Sequence, residues 1–181
     1  TMQTIVSLIR LQSDQIEDEK LRDILLTIQN RISAMGHLHE LLYRQDNIEY
    51  IDVYEYFELL IEEVRDSYDS YIDIHLEIKT KLKMEQAIYC GLIINEALTN
   101  CFKYAFKYNQ GTINLNFRCI DNGYILEIKD NGVGLENDFR IENINSLGLN
   151  LINLIATIQL NGELSIQNLN GTHLSIKFGL N

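Results

Sequence analysis

The chain contains no proline among its 181 residues, so nothing in it forbids long uninterrupted helices. It is also poor in positive charge. Fifteen Lys and Arg stand against 26 Asp and Glu, a formal net charge of −11. This argues against a nucleic-acid partner, which needs a basic face to displace counterions. A single nucleotide is not excluded, because a metal ion, a helix N-terminus and one or two local lysines suffice to hold its phosphates. Cysteine is scarce: Cys90, Cys101 and Cys119 lie 11 and 18 residues apart, with no Cys-x-x-Cys pair. They read as reduced, buried thiols of a cytoplasmic protein rather than zinc ligands. No run approaches the ~18 apolar residues of a membrane span, and no signal peptide opens the chain.

What is present is a 46% hydrophobic fraction, enough to build a core. The chain starts abruptly inside an apolar helical pattern and so reads as a piece of a longer protein, with any membrane anchor or sensor upstream. Residues 2–15 read as the end of a helix with Ile5, Leu8, Ile9 and Gln12 on one face. After a polar break at Ser13 to Asp18, residues 19–44 form a longer helix. Its Leu21, Leu25, Ile28, Ile32, Met35, His39 and Leu42 advance in alternating steps of four and three, a near-heptad seam. Two such helices cannot bury their seams alone. A symmetric pair of hairpins forming a four-helix bundle would do so, as would packing on the next domain.

A polar connection over Asn47 to Asp52 leads to a third helix, 53–68. Ile72, Ile74, Leu76 and Ile78 then alternate with polar residues as a half-buried strand. A long helix spans 84–106. Two strands follow, opening at Gly111-Thr112 and running from Tyr124 to Lys129, joined by an Asp121-Asn122-Gly123 turn. Beyond a Gly- and Asn-rich stretch, a helix covers 147–160 and a final hairpin turns at Asn170-Gly171. Helices interleaved with a mostly antiparallel sheet predict an α+β sandwich.

On the helix 84–106, Ile94, Leu98, Cys101 and Ala105 form an apolar stripe, and Glu96, Asn100, Lys103 and Lys107 a polar one. A polar stripe is ordinarily a solvated helix face, although Asn100 is a mediocre mid-helix residue. Asp130-Asn131-Gly132-Val133-Gly134 follows directly on a strand. Its glycines permit a sharp turn and close approach of a ligand to the backbone. The acidic side chain could accept a hydrogen bond from an exocyclic amine such as that of adenine. A plain turn has the same composition. Ser146-Leu147-Gly148-Leu149 opens a helix with a good N-cap and a small residue in its first turn, a place for phosphate or for an ordinary cap. Gly171-Thr172 alone is only a turn.

In this order the four elements resemble the Bergerat-fold ATPases over about residues 50–181. Asn95-Glu96-Ala97-Leu98-Thr99-Asn100 is similar to their N box, Asp130 to Gly134 to the first glycine box, Ser146 to Leu149 to the second and Gly171-Thr172 to the last. Only 13 residues separate Gly134 from Gly148, a short lid. Ser146 to Ile152, the opening Met2 to Leu8, Arg31 to Met35 and His37 to Tyr43 resemble the histidine kinases with the second type of dimerisation domain.

That resemblance implies a helical hairpin, half of a dimeric four-helix bundle, at 1–46, followed by a Bergerat-fold catalytic domain at 50–181 with a mixed, mostly antiparallel sheet. It implies ATP and Mg²⁺ as cofactors. Asp130 would hold the adenine amine, Asn100 would ligate Mg²⁺, and Glu96 would orient water on the metal or act as a base toward the histidine. Lys103 would offset phosphate charge. Gly132 and Gly134 belong to the nucleotide loop, Gly148 and Leu149 would contact phosphates by their backbone, and Thr172 would lie near the adenine. The implied partners are a second copy, through 1–46, and a response-regulator receiver domain. One departure matters: the family's phosphoacceptor histidine would stand about five residues before Thr1. His37 and His39 match non-acceptor positions, and His75 and His173 lie on strands with no acidic partner indicated by spacing. The fragment is expected to bind ATP without phosphorylating itself. The alternatives are a protein-serine kinase of the anti-sigma type and a degenerate module that binds nucleotide without catalysis.

Overall fold

The computed structural model describes residues 2–13, 16–43, 50–68, 71–106, 108, 110–135, 139–141 and 146–179. Helix α1 (Met2–Ser13) and helix α2 (Glu19–Tyr43) form a hairpin. Asp18 starts α2 by accepting the backbone N–H groups of Lys20 and Leu21, the usual service of an N-cap carboxylate. On this hairpin Ile5, Leu8, Leu21, Ile28 and Met35 are 38–57% exposed. Of the heptad seam, Leu21, Ile28 and Met35 are thus exposed while Leu25 and Ile32 are half-buried, so packing of α2 on two later helices covers it only in part. The side chains of His37, His39 and Leu42 lie outside the described residues, as do Lys107 and much of the lid before Gly148.

Strand β1 (Tyr50–Asp52) pairs antiparallel with β3 (Lys81–Lys83). The polar connection expected over Asn47 to Asp52 thus ends in a strand, because Ile51 and Leu82 face each other and are buried next to the start of the long helix α4 (Met84–Asn100). A three-residue strand has too little alternation to declare itself. Helix α3 (Val53–Ser67) is capped by Asp52, whose carboxylate accepts Tyr54 N–H at 3.0 Å. It buries Val53, Tyr56, Phe57, Leu60, Ile61 and Val64. Each such side chain contributes about 1.5–3 kcal/mol when fully removed from water.

The main sheet has the order β2-β4-β5-β7-β6, from β2 (Asp73–Lys79), β4 (Thr112–Ile120), β5 (Gly123–Asp130), β6 (Glu163–Asn168) and β7 (Thr172–Gly179). Strands β2 and β4 are parallel and the other pairs antiparallel. Ile113, Leu115 and Phe117 of β4, with Leu126 of β5 and Ile176 of β7, join Ile93, Ile94 and Leu98 of α4 (Met84–Asn100) in one core. The fold is the α+β sandwich that the element pattern predicts.

Two helices depart from their expected form. The α geometry of α4 stops at Asn100 and gives way to a π-helical turn over Cys101–Ala105. Helix α5 (Leu147–Leu154) likewise passes into a π turn over Ile155–Gln159. Ile94, Leu98, Cys101 and Ala105 keep steps of four and three into the first of these turns, so the sequence pattern reads through it, and π turns occur often at functional sites. Burial also divides the cysteines. Cys90 and Cys101 are buried free thiols, as expected, but Cys119 is exposed because it sits near the end of β4 where the sheet is uncovered. No helix among the described residues is long and apolar enough to cross a membrane.

Candidate functional site

The site lies where α4 and the start of α5 cross the ends of β5 and β7. Asp130 is the last residue of β5 and is 2% exposed. Its Oδ1 accepts Gly132 N–H at 2.8 Å and Thr172 N–H at 3.1 Å, and its Oδ2 accepts the Cys101 thiol at 3.6 Å. Burial first, then the Asp130 charge, raises the Cys101 pKa well above its ordinary value, so this thiol stays a donor. Asp130 thereby ties the first glycine loop to the last hairpin, and it lines a cavity. Gly132 has no room for a Cβ because the Ala105 carbonyl lies against it. Gly134 and Gly171 take φ of 73° and 124°, a region that suits glycine.

Two adjoining cavities make one cleft. The first, about 220 Å³, has mostly apolar walls, including Ile128, Leu135, Leu149, Ile166 and Leu174, with Asp130, Gly134 and Thr172 at one end. The second, about 320 Å³, is bounded by Glu96, Lys103 and Gly148 together with Asp23, Thr27 and Arg31 of α2. Asn100, Tyr104 and Ser146 line both. Ser146 caps α5 by accepting Leu149 N–H at 3.2 Å, which sets the positive end of that helix at the junction. A Cβ on Gly148 would lie 2.9 Å from Glu96 Oε2 and 3.6 Å from Asn100 Oδ1, so a glycine lets the first turn of α5 approach α4.

The structure therefore brings Glu96, Asn100, Lys103, Asp130, Gly134, Gly148, Leu149 and Thr172 to one cleft, with Gly132 shaping its loop from behind. The polar stripe of α4 is not a solvated face. Glu96 is 2% exposed and forms a two-point pair with Arg31: Nε to Oε1 at 2.5 Å and Nη2 to Oε2 at 3.0 Å. Lys103 Nζ lies 2.9 Å from Asp23 Oδ2. Burial alone would lower the Lys103 pKa, but its bonds to Asp23 and its proximity to Tyr68 outweigh this and raise it, so the ammonium persists. Sequence reasoning missed Arg31 and Asp23, which lie 65 and 80 residues away along the chain from their partners. It also missed that His173 Nε2 sits 3.5 Å from Glu127 Oε1, a neighbour supplied by the β5–β7 register.

Similar proteins bear on this geometry. A histidine kinase family model matches residues 1–68, and the model of the histidine kinase-, DNA gyrase B- and HSP90-like ATPases matches residues 86–181. A sensor histidine kinase from Mycolicibacterium smegmatis, PdtaS, is 24% identical over 170 residues, covering 91% of this chain and 34% of the relative. Its Mycobacterium tuberculosis counterpart is 23% identical over 171 residues. The chain thus spans about a third of the length of the curated relatives it matches. Among solved structures, the histidine kinase domain of the Erythrobacter litoralis blue-light activated histidine kinase has a TM-score of 0.75 at 22% identity, with 99% of this chain and 85% of that one covered. A mycobacterial sensor histidine kinase, MprB, gives 0.57 at 20% identity, with 72% and 97% covered.

Proposed function

Since the chain belongs to the histidine kinase-, DNA gyrase B- and HSP90-like ATPase family and has the domains of a sensor histidine kinase, we propose that it is the ATP-binding catalytic part of a two-component kinase. It transfers the γ-phosphoryl of ATP to a histidine just upstream of Thr1, and a response-regulator aspartate then receives the group. A ring nitrogen of the histidine bonds to the γ-phosphorus while the bond to the β,γ-bridging oxygen breaks, and ADP leaves with that electron pair. The observation that carries this reading is the joined cleft, with an acidic anchor at its apolar end, charged groups at the other and Asn100 lining both.

Each side chain has a task in it. Asp130 Oδ2 accepts the adenine amine, and Thr172 sits beside the base. Gly132 and Gly134 let the loop backbone close on the nucleotide. The N–H groups at the start of α5, near Gly148 and Leu149, meet phosphate oxygens, and Lys103 offsets their charge. Asn100 offers a hard oxygen at the junction. This fits Mg²⁺, which takes few protein ligands and keeps its water. Bound magnesium would supply charge neutralisation on the phosphates. Glu96 orients water there or serves as a base toward the histidine.

The domains divide at 1–46 and 50–181 in this reading, which the pairing of β1 with β3 supports. A cytoplasmic location is part of this reading, and the three free thiols support it. Labelled with γ-³²P ATP, the longer protein that carries the acceptor histidine is expected to gain acid-labile, base-stable phosphate, while the present chain binds Mg-ATP without stable label. Acid-stable label on a partner serine would instead favour the anti-sigma-type kinase. Nucleotide binding without transfer in the longer protein would make the module non-catalytic.

Pairing of two copies through 1–46 accounts for the exposed part of the seam. The double substitution Ile5→Glu/Leu8→Glu is expected to convert a dimer to a monomer in sedimentation. Four apolar side chains at ~2 kcal/mol each predict a rise in dissociation constant of at least about a thousandfold. A wild-type chain that sediments as a monomer, or a variant that stays dimeric, would remove this surface from the interface.

A further inference from the structure

We propose that Arg31, on the helical hairpin, is a positioning residue for phosphoryl transfer: it holds Glu96 in the charged end of the cleft, an inference that rests on the nucleotide-binding reading of that cleft. Glu96 is almost wholly buried, and a buried carboxylate is strongly disfavoured without a partner. Arg31 meets both of its oxygens, at 2.5 and 3.0 Å, in the fork geometry a guanidinium offers and an ammonium does not. Lys103, in the π turn that follows α4, is engaged with Asp23 at 2.9 Å. From the opposite side, the first turn of α5 lies so close that a Cβ on Gly148 would be 2.9 Å from Glu96 Oε2. The carboxylate is therefore held between a cation from the hairpin and the helix start where phosphate is expected.

The surroundings indicate chemistry rather than stability. The buried polar side chains among the described residues are Asn30, Ser33, Asn95, Glu96, Thr99 and Asp130, and all but Asp130 belong to α2 or α4. An apolar seam between these helices would dock them without the desolvation that a buried ion pair requires. Arg31 is 20% exposed and lines only the charged cavity, away from the pocket assigned to adenine. Its loss should reach the transfer step through Glu96 and leave nucleotide affinity intact. Through this residue the hairpin contributes catalytic geometry in addition to any acceptor it carries.

The test uses the longer protein with its acceptor histidine and compares Arg31→Ala, Arg31→Lys, Glu96→Gln and the double variant Arg31→Ala/Glu96→Gln. Arg31→Ala is expected to lower kcat for autophosphorylation by at least about tenfold, with KM for ATP within about twofold, the pattern of a contact realised in the transition state. Arg31→Lys should recover part of the loss, and the double variant should be no slower than Glu96→Gln. Millimolar methylguanidinium should restore part of the Arg31→Ala rate and none of the Glu96→Gln rate, which a merely structural role would not produce. If alanine unfolds the hairpin, Arg31→Lys carries the same comparison. A raised KM with unchanged kcat, multiplicative effects in the double variant, or a faster Arg31→Ala enzyme would each overturn the proposal. Undiminished Mg-ADP binding by Asp130→Ala would instead overturn the cleft reading itself.

Discussion

Asp130→Ala is expected to weaken the binding of both ATP and ADP by about a hundredfold. A hydrogen bond to a charged group is worth about 1.5–3 kcal/mol, and each 1.4 kcal/mol is tenfold. The alanine removes the acceptor for the adenine amine. It also leaves Gly132 N–H and Thr172 N–H without the carboxylate that holds them at 2.8 and 3.1 Å, so the two loops bounding the adenine end lose their common tie. Asp130→Asn separates these effects. Its amide oxygen can still accept the two backbone N–H groups, but its NH₂ then faces the amine of the base, donor against donor. Titration calorimetry with Mg-ADP should show both variants weak, and thermal unfolding should show asparagine nearer to wild type. Equal affinity in wild type and Asp130→Ala would end the assignment of this residue.

The second large effect is expected at Asn100. Removing its amide should reduce phosphoryl transfer in the longer protein by about 10²–10³, the range seen when one preorganised contact to developing charge is lost. Binding provides an independent readout. In wild type, Mg²⁺ should increase ATP affinity, and in Asn100→Ala that increment should shrink while metal-free affinity stays the same. The geometry motivates the distinction, since Asn100 lines both the apolar and the charged part of the cleft and is none of the groups bonded to Asp130. A variant with full transfer and an unchanged magnesium increment would exclude Asn100 as the ligand.

Much of the molecule was legible because its signals are local. The alternation of Ile113, Leu115 and Phe117 marks a strand with one buried face, and that face is buried. Asn170 and Gly171, with φ of 54° and 124°, turn the last hairpin where the Asn-Gly pair indicates. Ser146 caps α5 as its residue type suggests. Asp130 and the glycines after it were singled out by their resemblance to the first glycine box, since their spacing alone also fits a plain turn. The π turns were not legible, since apolar steps of four and three run on into the first of them. Strands β1 and β3 were not legible either, at three residues each.

The N box and glycine loops were placed by resemblance to the Bergerat-fold ATPases; chain chemistry without coordinates was enough for the α+β class, for the element order apart from β1, β3 and the π turns, and for an apolar face on the hairpin. These depend on periodicity, capping and backbone freedom, which act over a few neighbouring residues. Packing alone decided that Glu96 is buried and the polar stripe covered, that Glu96 is matched by Arg31 and Lys103 by Asp23, and that Asp130 is bonded to Thr172, 42 residues on. An ion pair between residues 65 or 80 positions apart leaves no periodic trace in either segment. It exists only because burial in the folded chain makes an unpaired charge unfavourable, and the nearest opposite charge in space is then the one that answers it.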